Sequence, residues 1–368
     1  MSRPLRVVHW YWQSNPGGIH RVVCDLVRAQ EEAGMEPLRV VGRRGPGDGT
    51  ALDLRMRHGF DVLRLPRAKR TLQAADLVHM HSYNPVVARA LRSAGTPCVY
   101  TDHGSDRYPS LRNRVVLFGL QRRFVRSRPR IVTVNSEYRR GTQAAFYGLE
   151  PDRVRVVWNG LDFDALRPRR APADVRAEFG IPADRPHVGT VAVFQRCKRT
   201  HLVLEALARA RLDAALLVVG DGPPRHALER RARALGIADR TVFTGMRADA
   251  GDLMAALDAF VLPTEGEGFG LAALEALAVG TPAVVWRDGG GLLEIVRHGT
   301  SGFVVADVDE AAARIRQLCT APELRRRMGD AGAADVRERF SVARMARGIR
   351  ACYEECLGTG KSPALRAP

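Results

Sequence analysis

Lysine is nearly missing from this chain. Only Lys69, Lys198 and Lys361 are lysines among 57 basic residues, so arginine carries the formal net charge of +17. A genomic bias explains arginine over lysine but not the excess of base over acid. A basic surface favours polyanionic partners: nucleic acid, an anionic membrane or phosphorylated substrates. No helix-turn-helix, zinc-finger or RNA-binding aromatic signature accompanies the charge, which argues against nucleic acid. Long apolar runs are missing too; none approaches the ~20 residues of a membrane span. The start, MSRPLRVVHWYW, runs directly into strand-like sequence and lacks a signal-peptide pattern. Cysteine is sparse. Cys24, Cys98, Cys197, Cys319, Cys352 and Cys356 form no CxxC pair and no Cys/His cluster at ligand spacing. The expectation is a cytoplasmic protein with reduced thiols and no metal site.

What is present is alternation. The 368 residues suffice for two domains with sizeable cores, and 45% hydrophobic content suits a globular chain. Leu5–Trp12 reads as a strand, followed by Ile19, Val22, Val23, Leu26 and Val27 at helical spacing, with Gly34 as a stop. Further strand-like runs are Pro37–Val41, Leu77–His81, Cys98–Thr101, Ile131–Asn135 and Val154–Trp158. A charged stretch with Pro168, Pro172 and Pro182 follows, and the pattern restarts. His187–Phe194, Ala215–Val219, Thr241–Thr244, Ala259–Leu262, Ala283–Trp286 and Phe303–Val305 read as strands with helical segments between them. This predicts an α/β chain of two doubly wound parallel sheets with a boundary near 163–182. Ligands of such sheets lie beyond the carboxyl ends of the strands.

One such end is TEGEGFGLAALEALAVGTP, Thr264 to Pro282. The Gly-Phe-Gly turn follows a buried strand and opens a helix over 271–279. Glycines let the backbone approach a ligand, and the free N–H groups of a helix N-terminus attract anions. Glu275, about one turn into the helix, suits a diol; Glu267, before the turn, suits another hydroxyl. A phosphate between two hydroxyl-binding carboxylates describes a sugar nucleotide. A capped helix with solvated glutamates gives the same spacing, so spacing alone leaves both readings open.

The order of motifs adds to this. Glu267 and Glu275, seven residues intervening, resemble the E-x7-E motif of retaining family 4 glycosyltransferases of GT-B fold. The likeness runs along nearly the whole chain: Gly17-Gly18 after the first strand, DLVHMH (Asp76–His81), TDHG with His103, VTVNSE, VWNGLD (Val157–Asp162), VVGDGP, FTG ending in Gly245, and GGGLLEIV with GTSGFVV. The resemblance implies two Rossmann-like domains facing a central cleft. It implies an acceptor-binding domain over 1–165, a linker over 166–182 and a nucleotide-sugar-binding domain over 183–340. A helix over 341–357 would cross back to the first domain, and 358–368 would be a flexible tail.

The resemblance also implies roles. Glu275 matches the ribose-binding glutamate, and Glu267 the acidic residue on donor-sugar hydroxyls. Gly268, Phe269, Gly270 and Leu271 would offer backbone amides to the diphosphate and sugar. Gly17 and Gly18 would lie against the diphosphate, Gly245 would belong to the donor site, and His103 would stand near the donor sugar. Many relatives carry an Arg five residues before a Lys; here Val193 takes the Arg position and Lys198 keeps the Lys position. Arg196 is the candidate second cation. The catalytic set is then Glu267, Lys198, His103 and Arg196.

The implied reaction moves a hexose, UDP-linked by first expectation, to a small-molecule acceptor with retention at the anomeric carbon. The nucleotide sugar is a co-substrate and no cofactor is expected. No Asp-x-Asp motif stands where a metal-bound diphosphate would need one, so the basic groups take the metal's place. For the acceptor the candidates are Trp12, Asn15, His81 and His103. Trp10 and Trp12 share a strand face, as do His79 and His81; each pair either packs in the core or lines the cleft. The runner-up is a peripheral-membrane enzyme with a lipid-linked or polysaccharide acceptor. Its sequence basis is LRNRVVLFGLQRRFVRSR (111–128), a basic amphipathic stretch suited to transient contact with anionic lipid or to an ordinary crossover helix. Minor alternatives are a GT-B epimerase, a phosphorylase or a nucleic-acid-binding protein.

Overall fold

The computed structural model describes residues 3–12, 18–42, 51–56, 61–104, 111–182 and 184–359, with the backbone alone over 111–116. Asn15, Gly17 and most of the expected tail lie outside these residues. The chain divides into two compact units, Met1–Gly160 with Val342–Pro368, and Leu161–Ser341.

The first unit holds a parallel sheet of β1 (Arg6–Tyr11), β2 (Glu36–Val41), β3 (Leu52–Asp53), β4 (Leu77–Met80), β5 (Cys98–Asp102), β6 (Ile131–Val134) and β7 (Val154–Val156), in the order β3-β2-β1-β4-β5-β6-β7. Central strands such as β1 and β4 are buried almost along their length because helices cover both faces. The helix Gly18–Glu32 buries Val22, Val23, Leu26 and Val27 on one stripe. The next crossover shows how local sequence sets its ends. Asn84 caps Pro85–Ala94 by accepting from the amides of Val86 and Val87 at 3.0 and 3.1 Å, and Gly95 ends it at φ 76°. Such a cap contributes ~1 kcal/mol. The helix Val342–Leu357 belongs to this unit: Met345, Ile349, Cys352, Tyr353 and Cys356 are buried at helical spacing, and Arg155 pairs with Glu355 at 2.7 Å.

The second unit repeats the plan with β8 (His187–Val191), β9 (Ala215–Val219), β10 (Thr241–Gly245), β11 (Ala259–Leu262), β12 (Ala283–Trp286) and β13 (Gly302–Val305), in the order β10-β9-β8-β11-β12-β13. Its strands are parallel. The segment 161–182 is fastened to this unit: the Leu161 amide donates to Phe340 O at 2.8 Å, and the Arg169 amide donates to Asp252 Oδ1 at 2.6 Å. In both sheets the connections turn outward in opposite directions from two adjacent central strands, β1 and β4 or β8 and β11. Loops part there and leave a crevice.

Candidate functional site

At the carboxyl ends of β8 and β11 two loops leave in opposite directions. The loop after β8 forms one 3-10 turn, Arg196–Lys198. The loop after β11 carries Glu267. The Glu265 amide donates to Cys197 O at 2.9 Å and joins them. Across this junction Lys198 Nζ pairs with Glu267 Oε2, both side chains half-buried. Arg199 braces the same point. Its Nε donates to Pro263 O at 2.6 Å, and its two terminal nitrogens grip Asp288 at 2.7 and 2.6 Å. The loop after β12 is thereby tied in, and the Gly291 amide donates to Glu267 O at 2.8 Å.

Two glycines make this closeness feasible. Gly270 has φ 101°, and a Cβ there would meet Leu292 Cδ2 at 2.2 Å. A Cβ on Gly291 would meet Gly268 O at 2.5 Å. Between Gly268 and Gly270, Phe269 is buried edge-on against Phe340, centroids 5.5 Å apart, which pins the turn. The turn opens the helix Leu271–Ala278, whose first N–H groups have no intrahelical acceptor. Glu275 lies on that helix and is 9% exposed.

The first unit places a histidine cluster at the same topological position. His9 on β1 is in register with His79 on β4; His81 follows β4 and His103 follows β5. His9 Nδ1 lies 3.0 Å from His81 Nε2, and His81 Nδ1 lies 3.0 Å from His103 Nε2. His79 bonds the Tyr353 hydroxyl at 2.7 Å and Thr101 at 2.6 Å. Burial lowers the His9 and His103 pKa values to about 4 and pushes His79 and His81 well below the usual range. The ligating atoms of His9, His79 and His81 lie within 4.8 Å of one another. Their six ring nitrogens are all accounted for by hydrogen bonds within the unit, from Gln30, Tyr353, Thr101, His103 and one another.

Two family models match this chain: "Glycosyltransferase Family 4" over residues 16–165 and "Glycosyl transferases group 1" over residues 173–335. A D-inositol 3-phosphate glycosyltransferase of Frankia alni is 34% identical over 324 residues, 79% of this chain and 76% of that protein. The chain belongs to the family 4 glycosyltransferases. An N-acetyl-alpha-D-glucosaminyl L-malate synthase of Bacillus anthracis is 28% identical over 302 residues, 78% of this chain and 76% of that protein. A crystal structure of Anabaena Alr3699/HepE in complex with UDP-glucose superposes with a TM-score of 0.81 at 23% identity, covering 95% of this chain and 100% of that one. The fold is GT-B.

Within this glycosyltransferase the expected second-unit residues are distributed unequally. Lys198, Glu267, Gly268, Phe269, Gly270, Leu271 and Glu275 share the β8/β11 junction and the helix it opens. Arg196 points to solvent, as does Val193, which is 48% exposed. Gly245 ends the edge strand β10 at φ 74°, and its carbonyl accepts from the Gly220 amide at 2.9 Å. Sequence reading passed over Arg199 and Asp288; the bidentate grip on Asp288 is their signature, and it joins residues 89 apart in sequence.

In the first unit Gly18 begins its helix. Trp10 is fully buried and Trp12 half-buried; both rings lie over Gly42, where a Cβ would meet Trp12 at 2.6 Å. His81, expected to touch an acceptor, is 5% exposed and has both ring nitrogens engaged, so it reaches a ligand only through His103. The basic stretch 111–128 forms the helix Leu111–Ser127. Over its second part Leu117, Phe124 and Val125 are buried, the latter two in the sheet core, while Leu120 is 40% exposed. Arg122, Arg123 and Arg126 remain exposed. Among the described residues no helix is long and apolar enough to cross a membrane.

Proposed function

We propose that this glycosyltransferase is a retaining hexosyltransferase that uses a nucleoside-diphosphate hexose, UDP-linked first, and a small hydroxyl-bearing acceptor. The observation that carries the reading is the Lys198–Glu267 pair at the β8/β11 junction beside the amides that open the helix of Glu275. In this structure the two side chains neutralise each other. A diphosphate draws Lys198 away and frees Glu267 to accept from a sugar hydroxyl. Glu275 binds the ribose diol. Negative charge grows on the diphosphate as the glycosidic bond breaks, and Lys198 with the helix N-terminus stabilises it where it develops. Arg196, exposed and two residues away, is the candidate for a second phosphate contact.

Retention follows from attack on the face that the leaving group departs. The acceptor oxygen bonds to the anomeric carbon as its bond to the phosphate oxygen breaks, and the acceptor proton passes to that oxygen. Atoms and charges balance without a covalent enzyme intermediate. A small anionic acceptor suits a chain of net charge +17. The relatives above are named for L-malate and D-inositol 3-phosphate, both small hydroxyl-bearing anions. On the first unit His103 is proposed to meet a substrate hydroxyl.

Screening nucleotide sugars for thermal stabilisation, then acceptors with the best donor, tests this reading. The product's anomeric configuration checks retention. No stabilisation by any nucleoside diphosphate would exclude it.

A further inference from the structure

Gln30 is buried in the helix Gly18–Glu32 and holds the far end of the histidine cluster. Its Oε1 lies 2.7 Å from His9 Nε2, and its Nε2 donates to the Tyr353 hydroxyl at 3.2 Å. An amide oxygen only accepts, so His9 carries its proton on Nε2. A neutral ring has one proton, so His9 Nδ1 accepts, and His81 Nε2 is the donor. By the same step His81 Nδ1 accepts from His103 Nε2. The second branch runs the same way: the Tyr353 hydroxyl donates to His79 Nδ1, His79 Nε2 donates to Thr101, and Thr101 donates to Thr133. Every donor in both branches finds an acceptor. Turning the Gln30 amide by half a turn reverses each bond and forces all four rings into the Nδ1–H form, which is intrinsically the less stable neutral tautomer of histidine.

We propose that Gln30 is a positioning residue: through His9 and His81 it fixes His103 as the Nε2–H tautomer and presents the bare Nδ1 as an acceptor for a substrate hydroxyl. Among the described residues no group bonds to His103 Nδ1. Only the hydroxyl's belonging to a sugar or acceptor rests on the proposed transfer reaction. The low pKa values that burial imposes keep the rings neutral at pH 7. A lone pair on a neutral ring repels phosphate oxygens and attracts hydroxyls. The structure thus assigns His103 to a hydroxyl rather than to the diphosphate.

The test is the ¹⁵N and ¹³C spectrum of the full chain labelled in histidine, at pH 7. Wild type should show Nε2 protonated and Nδ1 bare for His9, His81 and His103. Gln30→Met keeps length and apolar bulk but removes both amide groups. It should give His103 as a mixture of tautomers, with turnover down by about 10-fold, the scale on which outer partners of a functional histidine act. Nδ1–H at His103 in wild type overturns the proposal without recourse to any variant. So does a Gln30→Met protein that loses turnover but keeps pure Nε2–H. The expected spectrum in a protein that binds no sugar nucleotide would defeat the transferase reading and leave the tautomer lock standing.

Discussion

Lys198 and Glu267, 69 residues apart, form an ion pair where the loops after β8 and β11 separate. The pair is half-buried and accessible, and it stands beside a helix N-terminus. In the proposed reaction the cation would exchange that carboxylate for an arriving phosphate.

Lys198→Ala should therefore act on turnover more than on folding. Removing one preorganised charge from a developing anion costs about 100-fold or more in kcat. Steady-state kinetics beside a thermal melt separates the two effects. A fully active variant would show that the diphosphate charge is balanced elsewhere.

If Lys198 and the helix amides supply the positive charge as proposed, sugar transfer should continue in EDTA at an unchanged rate. The assay is transfer before and after chelation. Strict dependence on an added divalent ion would count against this electrostatic arrangement.

Gly270→Ala should disturb the turn itself. The left-handed φ of 101° disfavours any side chain, and the new Cβ would press on Leu292, which is fully buried and has little room to move. A loss of ~1–3 kcal/mol is expected, read as a lower unfolding midpoint in urea together with weaker nucleotide binding. An unperturbed midpoint would mean that the turn is less constrained than its geometry indicates.

Stability should fall as the pH drops from 7 to 5. Histidines of the unfolded chain titrate near ~6.5, whereas His9 in the fold is lowered to about 4 by burial. Between those values the unfolded chain binds more protons, so protonation favours unfolding. His9 alone contributes a slope of ~1.4 kcal/mol per pH unit. His79, His81 and His187, also lowered by burial, act in the same direction. Melting temperatures at pH 7, 6 and 5 give the slope, and a flat profile would contradict a neutral buried cluster.

The fold was largely legible because its strands are short apolar runs bounded by turn residues. β3 was not, since Leu52–Asp53 offers one apolar side chain and no alternation. The β8/β11 site was legible in its second half, where Glu267, the glycines and Glu275 are close in the chain. Its brace was not. Arginines at 196 and 199, three residues apart, look alike in sequence, yet one is exposed and the other holds Asp288. The histidine cluster was half visible. Period-two spacing put His79 and His81 on one face, but His9, Gln30 and Tyr353 come from other elements, and only tertiary packing joins them.

The helix that follows Gly270 is proposed to bind a nucleoside diphosphate, with Glu275 holding its ribose. Calorimetric titration of UDP into wild type and Glu275→Ala tests it most directly. Hydrogen bonds to a charged group contribute ~1.5–3 kcal/mol, so wild type should bind saturably and the variant with affinity about 10- to 100-fold weaker. Equal affinity in the two proteins would contradict it.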